Sequence, residues 1–405
     1  MACGAWIYSV LLGLLCGCAS PEALLVLQDI GAGAGPSRLK AITRAPLRTP
    51  VAYEIAGRAG SGDLYLPAND SPQAGIVLVP GAVPEGKDHE RLVAFATTLA
   101  RARFAVLVPE LSGYRELKVR ATHPRELADA LLYLSSHQDL LRGKRVGFAA
   151  FSYAVGPAVL AALEDDTRTR VRFALSVGGY HDLRAAIRFF TTGYFEANGE
   201  PRHLEPNEYS KLVFAKSIAD HLRDPRDRAI IGAMVDAKLA DPAADLSLLA
   251  EGLGPEGRSA YRLLTNTDPG ATPELIDALP QDAIAAIDAL TLADKDLTRL
   301  EARLILVHGK RDRLIPYSET LALGRSVAPS HARVFIINRI LGHVDVGFSH
   351  AFSWQFYTQE LPDAWRLLQA VDLLLLERHT SVDVPAERRA PRHANGLPRA
   401  STSHP

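Results

Sequence analysis

Three observations predict an α/β fold, a mostly parallel central sheet flanked by helices, with a helical lid inserted after the sixth strand. Short apolar runs alternate with helix-length amphipathic segments from about Val51 onward, the rhythm of βα units on a parallel sheet. One such run, Arg145 to Phe151, ends at Ser152 and passes at once into a small-residue helix. Between Tyr180 and Leu300 the rhythm gives way to helical patterns alone. Hydrophobic residues make up 47% of the 405, enough for a sizeable core in one enlarged or two average domains. The net charge of −1, with basic residues dispersed, argues against a nucleic-acid surface.

The elements follow in order. Two strands, Val51 to Ile55 and Gly62 to Leu66, flank a turn at Gly57 to Ser61. Buried-type strands are then expected at Ile76 to Val79, Ala105 to Val108, Arg145 to Phe151, Arg172 to Val177, Leu304 to Val307 and Arg333 to Ile337. Helices are expected near His89 to Arg101, Pro124 to Leu134 and Tyr153 to Glu164. A late helix, Pro362 to Arg378, carries Leu367, Leu368, Val371, Leu374 and Leu375 on one face. The insertion reads as helices at Leu183 to Phe190, Glu208 to His221, Arg226 to Ala240, Gly257 to Leu264 and Pro280 to Ala289.

Ser152 is the strongest candidate for chemistry. A strand that stops at a serine and turns sharply into a helix presents the hydroxyl as a nucleophile, and small neighbours such as Ala150 and Ala154 let the turn close. The small-x-Ser-x-small pattern also fits Ser176, Ser217, Ser326, Ser330 and Ser349, but among them Ser152 alone has a strand before it and a helix after it. Asp312 follows the strand Arg303 to Val307 within a polar turn, where a strand's carboxyl end would aim it at a site. His343 lies on a loop just beyond the last strand. Taken singly, each has a plainer reading: a helix-start serine, a turn aspartate and an exposed histidine.

With these residues in view, the chain from about residue 50 to 380 resembles the α/β-hydrolase superfamily, whose triad order of Ser, Asp and His is matched by Ser152, Asp312 and His343. The resemblance implies that Ser152 attacks a carbonyl, His343 acts as general base and Asp312 orients the imidazole. Backbone N–H groups of Ala82 and Tyr153 would bind the oxyanion, with Val83 as the fallback donor. Two departures stand out: alanines replace both glycines of G-x-S-x-G, and Pro80-Gly81 stands where His-Gly is usual. Asp182, after the sixth strand, is the alternative acid. The insertion occupies the place of the superfamily's lid, and Tyr180 and Tyr194 are candidate substrate contacts within it.

The expected activity is therefore a serine hydrolase acting on a small-molecule carboxylic ester, with amides or peptides less favoured, no cofactor and no catalytic metal, since no ligand spacing such as H-E-x-x-H occurs. The alternative from another class is a non-catalytic envelope lipoprotein that uses the fold as a binding scaffold. All three cysteines lie within the first 18 residues. The apolar run Trp6 to Leu15 reads as a signal-peptide core, and Leu15-Cys16-Gly17-Cys18 resembles a bacterial lipobox with Cys18 as the lipidated residue. That predicts a bacterial envelope protein, membrane-anchored through lipid, with plain secretion as the alternative. The expected segments are a signal peptide at 1–17, a flexible linker at 18–50, the fold's first part at 51–179, the lid at 180–300, its second part at 301–379 and a disordered tail at 380–405.

Overall fold

A computed structural model of the chain describes residues 20–342 and 360–379. Its sheet has eight strands: β1 Leu47–Ile55, β2 Arg58–Leu66, β3 Ala74–Leu78, β4 Phe104–Pro109, β5 Arg145–Phe151, β6 Val171–Val177 and, after the insertion and its own hairpin (β7 Tyr194–Ala197, β8 Glu200–His203), β9 Arg303–Gly309 and β10 Ala332–Ile337. The order is β1-β2-β4-β3-β5-β6-β9-β10. β1 and β2 pair antiparallel, as do β2 and β4, and the remaining pairs from β4 to β10 are parallel. The first hairpin turns on Ala56 and Gly57, both at positive φ (49° and 78°). This is the two-residue turn geometry that matches strand twist, and it displaces the broader turn expected at Gly57 to Ser61.

Helices cover both faces, labelled in chain order as α1 Pro21–Ala32, α2 Glu90–Arg101, α3 His123–Ser136 and α4 Val155–Ala161; in the insertion α5 Leu183–Thr192, α6 Tyr209–Ala219, α7 Pro225–Ala240, α8 Pro255–Leu264 and α9 Gln281–Leu290; then α10 Tyr317–Arg325 and α11 Leu361–Leu376. Side-chain alternation along the strands sorts the core into two layers. Val77, Leu107, Phe148 and Ala150 face α3 and α4. Ile76, Leu78, Val106 and Leu175 face α1, α2 and α11. All five residues of β3 and all six of β4 are buried, and each large aliphatic side chain there contributes about 1.5–3 kcal/mol.

The segment expected to be a flexible linker is ordered from Ser20. Ser20 caps α1 by accepting a hydrogen bond from the Ala23 N–H (3.2 Å), and Pro21 occupies its first turn. A second short helix, Arg38–Ile42, is capped in the same way by Ser37. Asp29, with no exposed surface, holds α1 to the body. It accepts from Thr98 on α2 (2.6 Å) and from Ser37, and pairs with Lys40 (3.0 Å). At the helix start Glu22 pairs with Arg378 (2.6 Å), and the Ser20 hydroxyl donates to Asp372 on α11 (2.6 Å). The insertion carries cores of its own, one of which joins Tyr180, Leu183 and Phe190 to Phe214, Leu263 and Ile287. Among the described residues no helix is long and apolar enough to cross a membrane. The segment expected to be a signal peptide and Cys18 lie outside the described residues, as does the tail from residue 380.

Candidate active site

β5 runs buried through the centre of the sheet and releases the chain at Ser152, whose φ is +55°. That left-handed conformation is costly for a residue with a Cβ and persists only where the surroundings impose it. Here the constraint comes from both sides. The residues Ser152–Ala154 form a single tight helical turn that leads directly into α4. Gly156, in the first turn of α4, lies so close to Tyr180 that a Cβ there would stand 2.0 Å from its hydroxyl oxygen. The close approach behind the turn therefore falls at Gly156, where α4 meets Tyr180, a position that the small-residue pattern around Ser152 does not mark. Ala150 and Ala154 are both buried, and their methyl groups are part of the sheet–helix core.

Beyond β3, the loop Val79 to Glu85 runs alongside the serine. Val83 donates its N–H to the Gly81 carbonyl (3.0 Å), which commits it elsewhere and leaves Ala82 as the candidate donor of this loop. The Ala82 carbonyl accepts from the Tyr209 hydroxyl of α6 (2.8 Å), so the insertion holds this loop in place. Tyr209 is a site residue that the sequence reading missed. It lies among polar residues at a helix start, with no local signal of its role.

Asp312 sits in the turn after β9 and is 1% exposed. One carboxylate oxygen accepts from the N–H groups of Leu314 (2.7 Å) and Ile315 (3.1 Å). The other lies 3.3 Å from Nε2 of His308, itself fully buried on β9. His308 also contacts the Ile315 carbonyl (3.0 Å) and the Thr320 hydroxyl (2.6 Å), so the turn is held from its strand and from α10. The insertion ties into the same turn, with the Asn207 N–H donating to the Arg313 carbonyl (2.7 Å) and the Ser210 hydroxyl to that of Leu314 (3.2 Å). Asp182, the alternative acid, instead caps α5 by accepting from the Arg184 N–H (2.8 Å). Beneath it Glu319, buried on α10, accepts from the N–H groups of His181 (3.1 Å) and Asp182 (2.7 Å). Burial pushes the Glu319 carboxyl up to about 7 against those two hydrogen bonds. His343 lies outside the described residues.

Ser152 opens into a cavity of about 580 Å³, lined near the serine by Gly81, Ala82, His89, Tyr153 and Tyr209. Neither tyrosine expected to contact substrate lines it. Tyr180 is 1% exposed and donates its hydroxyl to the Leu290 carbonyl (2.9 Å), tying the loop after β6, which packs on Gly156, to α9. Tyr194 is 42% exposed on the β7–β8 hairpin and packs on His203. Their aromatic character serves packing, which a sequence does not distinguish from substrate contact. Among the described residues no group of three or more His, Cys, Asp or Glu side chains is placed to hold a metal ion.

This strand order and elbow are those of the α/β-hydrolase fold, and the comparison with solved structures agrees. A Legionella pneumophila protein provisionally classed as a hydrolase matches with a TM-score of 0.52 at 14% identity, over 83% of this chain and 90% of that one. Acylaminoacyl peptidase from Pyrococcus horikoshii is similar at a TM-score of 0.44 and 10% identity, over 86% of this chain and 44% of its own. In sequence, the chain is 29% identical to 2-hydroxy-6-oxo-2,4-heptadienoate hydrolase of Pseudomonas putida over 93 residues, 23% of this chain and 32% of that protein. The chain thus spans about a third of that curated relative and under half of the peptidase. No family model matches the chain.

Proposed function

We propose that the protein is a serine hydrolase that cleaves carboxylic esters through an acyl-enzyme. The observation that carries this reading is Ser152 held at φ +55° at the end of a buried strand and facing a cavity. Such strain is kept where it positions a reacting group. In the first half-reaction Ser152 Oγ bonds to the ester carbonyl carbon while His343 takes the hydroxyl proton. The C–O bond to the alcohol then breaks, and the alcohol leaves with that proton. In the second, water gives a proton to His343, attacks the acyl carbon and releases the carboxylic acid, and the proton returns to Ser152. Asp312 holds the imidazole in the tautomer this requires. Ala82 and Tyr153 N–H groups receive the oxyanion, each worth on the order of 3 kcal/mol in the transition state.

The insertion 180–300 acts in this reading as the lid. It grips the Ala82 loop through Tyr209 and the Asp312 turn through Asn207 and Ser210, so closing it and ordering the site are one event. We retain Cys18 as the proposed lipid anchor, to be tested by the mass of the N-terminal peptide from protein extracted from membranes. The test of activity is steady-state hydrolysis of p-nitrophenyl butyrate. Wild type is expected to turn over, Ser152→Ala to lose at least about 1000-fold in kcat, and Asp312→Asn about as much. Turnover unchanged in Ser152→Ala would refute the assignment.

A further inference from the structure

The cavity that begins at Ser152 does not end there. It continues between α1, α2 and α11, where Leu27, Ile30, Phe95, Leu99, Val371 and Leu374 line it. The polar side chains that line it are Ser152, His89, Tyr114, Tyr153 and Tyr209, with Arg91 in the first turn of α2, and the loop of Ala82 adds its backbone. The buried carboxylate of this region, Asp29, does not line the cavity and is bonded to Thr98, Ser37 and Lys40. Apart from Arg91, the side chains that line the cavity along α1, α2 and α11 are apolar, and this wall offers a ligand mainly apolar surface. The volume of about 580 Å³ falls within the range of pockets that enclose a whole ligand, and an acetyl group would leave most of it unfilled. α1 forms one side of this wall and is clamped to α2 and α11 by the Asp29, Glu22 and Ser20 contacts, so the wall is built into the fold.

We infer that the channel between α1, α2 and α11 receives the acyl chain of the substrate, and that the protein acts on esters of unbranched aliphatic acids of medium to long chain. The inference rests on Ser152 as the nucleophile. With the carbonyl at Ser152 and its oxygen toward Ala82 and Tyr153, the acyl chain enters the apolar channel and the alcohol leaves on the polar side.

The experiment compares two substrate series on the full chain. In the first, p-nitrophenyl esters run from acetate to decanoate; in the second, acetates of alcohols run over the same lengths. Expected is a rise in kcat/KM of about threefold per added methylene over the first several carbons of the acyl series, with a flat alcohol series. Flat acyl dependence, or a rise in the alcohol series instead, would overturn the assignment while leaving Ser152 as nucleophile intact. Absence of turnover on every ester, acetate included, would instead count against the hydrolase reading itself.

Two fillings of the channel localise the effect. Ile30→Trp from α1 and Val371→Trp from α11 are each expected to lower the decanoate-to-acetate ratio of kcat/KM at least tenfold. Because they lie on different helices, a folding failure in one leaves the other to be read. A folded, active variant with an unchanged ratio contradicts the channel.

Discussion

The turn at Ser152 and the helix at the N-terminus bound the same cavity but are secured by opposite means. The turn is held by local geometry: a strand that cannot shift in the sheet, a helix that starts at once, and a glycine that lets Tyr180 close over it. The N-terminal helix is held by distant partners, with Asp29 reaching Thr98, Glu22 reaching Arg378 and Ser20 reaching Asp372. The first arrangement stores strain, and the second rests on polar contacts that run from the buried Asp29–Thr98 bond to the exposed Ser20–Asp372 one. Reactivity is thereby built from neighbours in the chain, and pocket shape from residues far apart in it.

The contrast can be broken most forcefully at Asp29. Replacing it by Ala removes the shared acceptor of Thr98 and Ser37 and the counter-charge of Lys40, leaving Thr98 only the Ala94 carbonyl and Lys40 only the Gly33 and Gly35 carbonyls, and is expected to cost about 3 kcal/mol in denaturant unfolding. A loss below about 0.5 kcal/mol would mean that α1 is not anchored through this carboxylate. Next in size is Glu319. Its carboxyl is raised to about 7 in the folded protein, from 4.5 ordinarily, chiefly by burial. Between those values the folded state binds more protons than the unfolded state, so stability falls as pH rises from about 4.5 to 7 and levels off above. Glu319→Gln keeps an oxygen acceptor without the buried charge. It is expected to stabilise by about 2 kcal/mol at pH 8 and by close to zero at pH 4. An equal effect at both pH values would rule out ionisation as its cause.

The smallest effect concerns the strain itself. Ser152→Gly relieves the positive φ while Ser152→Ala retains it, and both remove the hydroxyl. The glycine variant is expected to be more stable than the alanine variant by about 1 kcal/mol. A less stable glycine variant would show that the turn is not strained.

The same contrast explains what could be read in advance. The strand, the serine and the helix behind it are contiguous, so their pattern survives in the sequence, and so do the strands that build the sheet. The place of Asp312, in the turn just beyond its strand, was legible for a similar reason. α1 was not recognised because its glycine-rich end, Gly31 to Gly35, outweighed the Ser20-Pro21-Glu22 start and the Ala23, Val26, Leu27, Ile30 spacing that mark a capped amphipathic helix. The hairpin turn was misplaced because Ala56 adopts a positive φ that alanine rarely takes. Tyr180 and Tyr194 were assigned to the pocket because aromatic type says nothing of direction. Tyr209 and Gly156 escaped because their roles arise only when the insertion meets the core.

The central claim is that Ser152 is an activated nucleophile, and its most direct test is the intact mass of the purified protein after treatment with a fluorophosphonate. A single phosphonyl adduct, absent from Ser152→Ala, is the predicted result. A folded wild-type protein that takes up no adduct, or an adduct that persists in Ser152→Ala, would contradict the account.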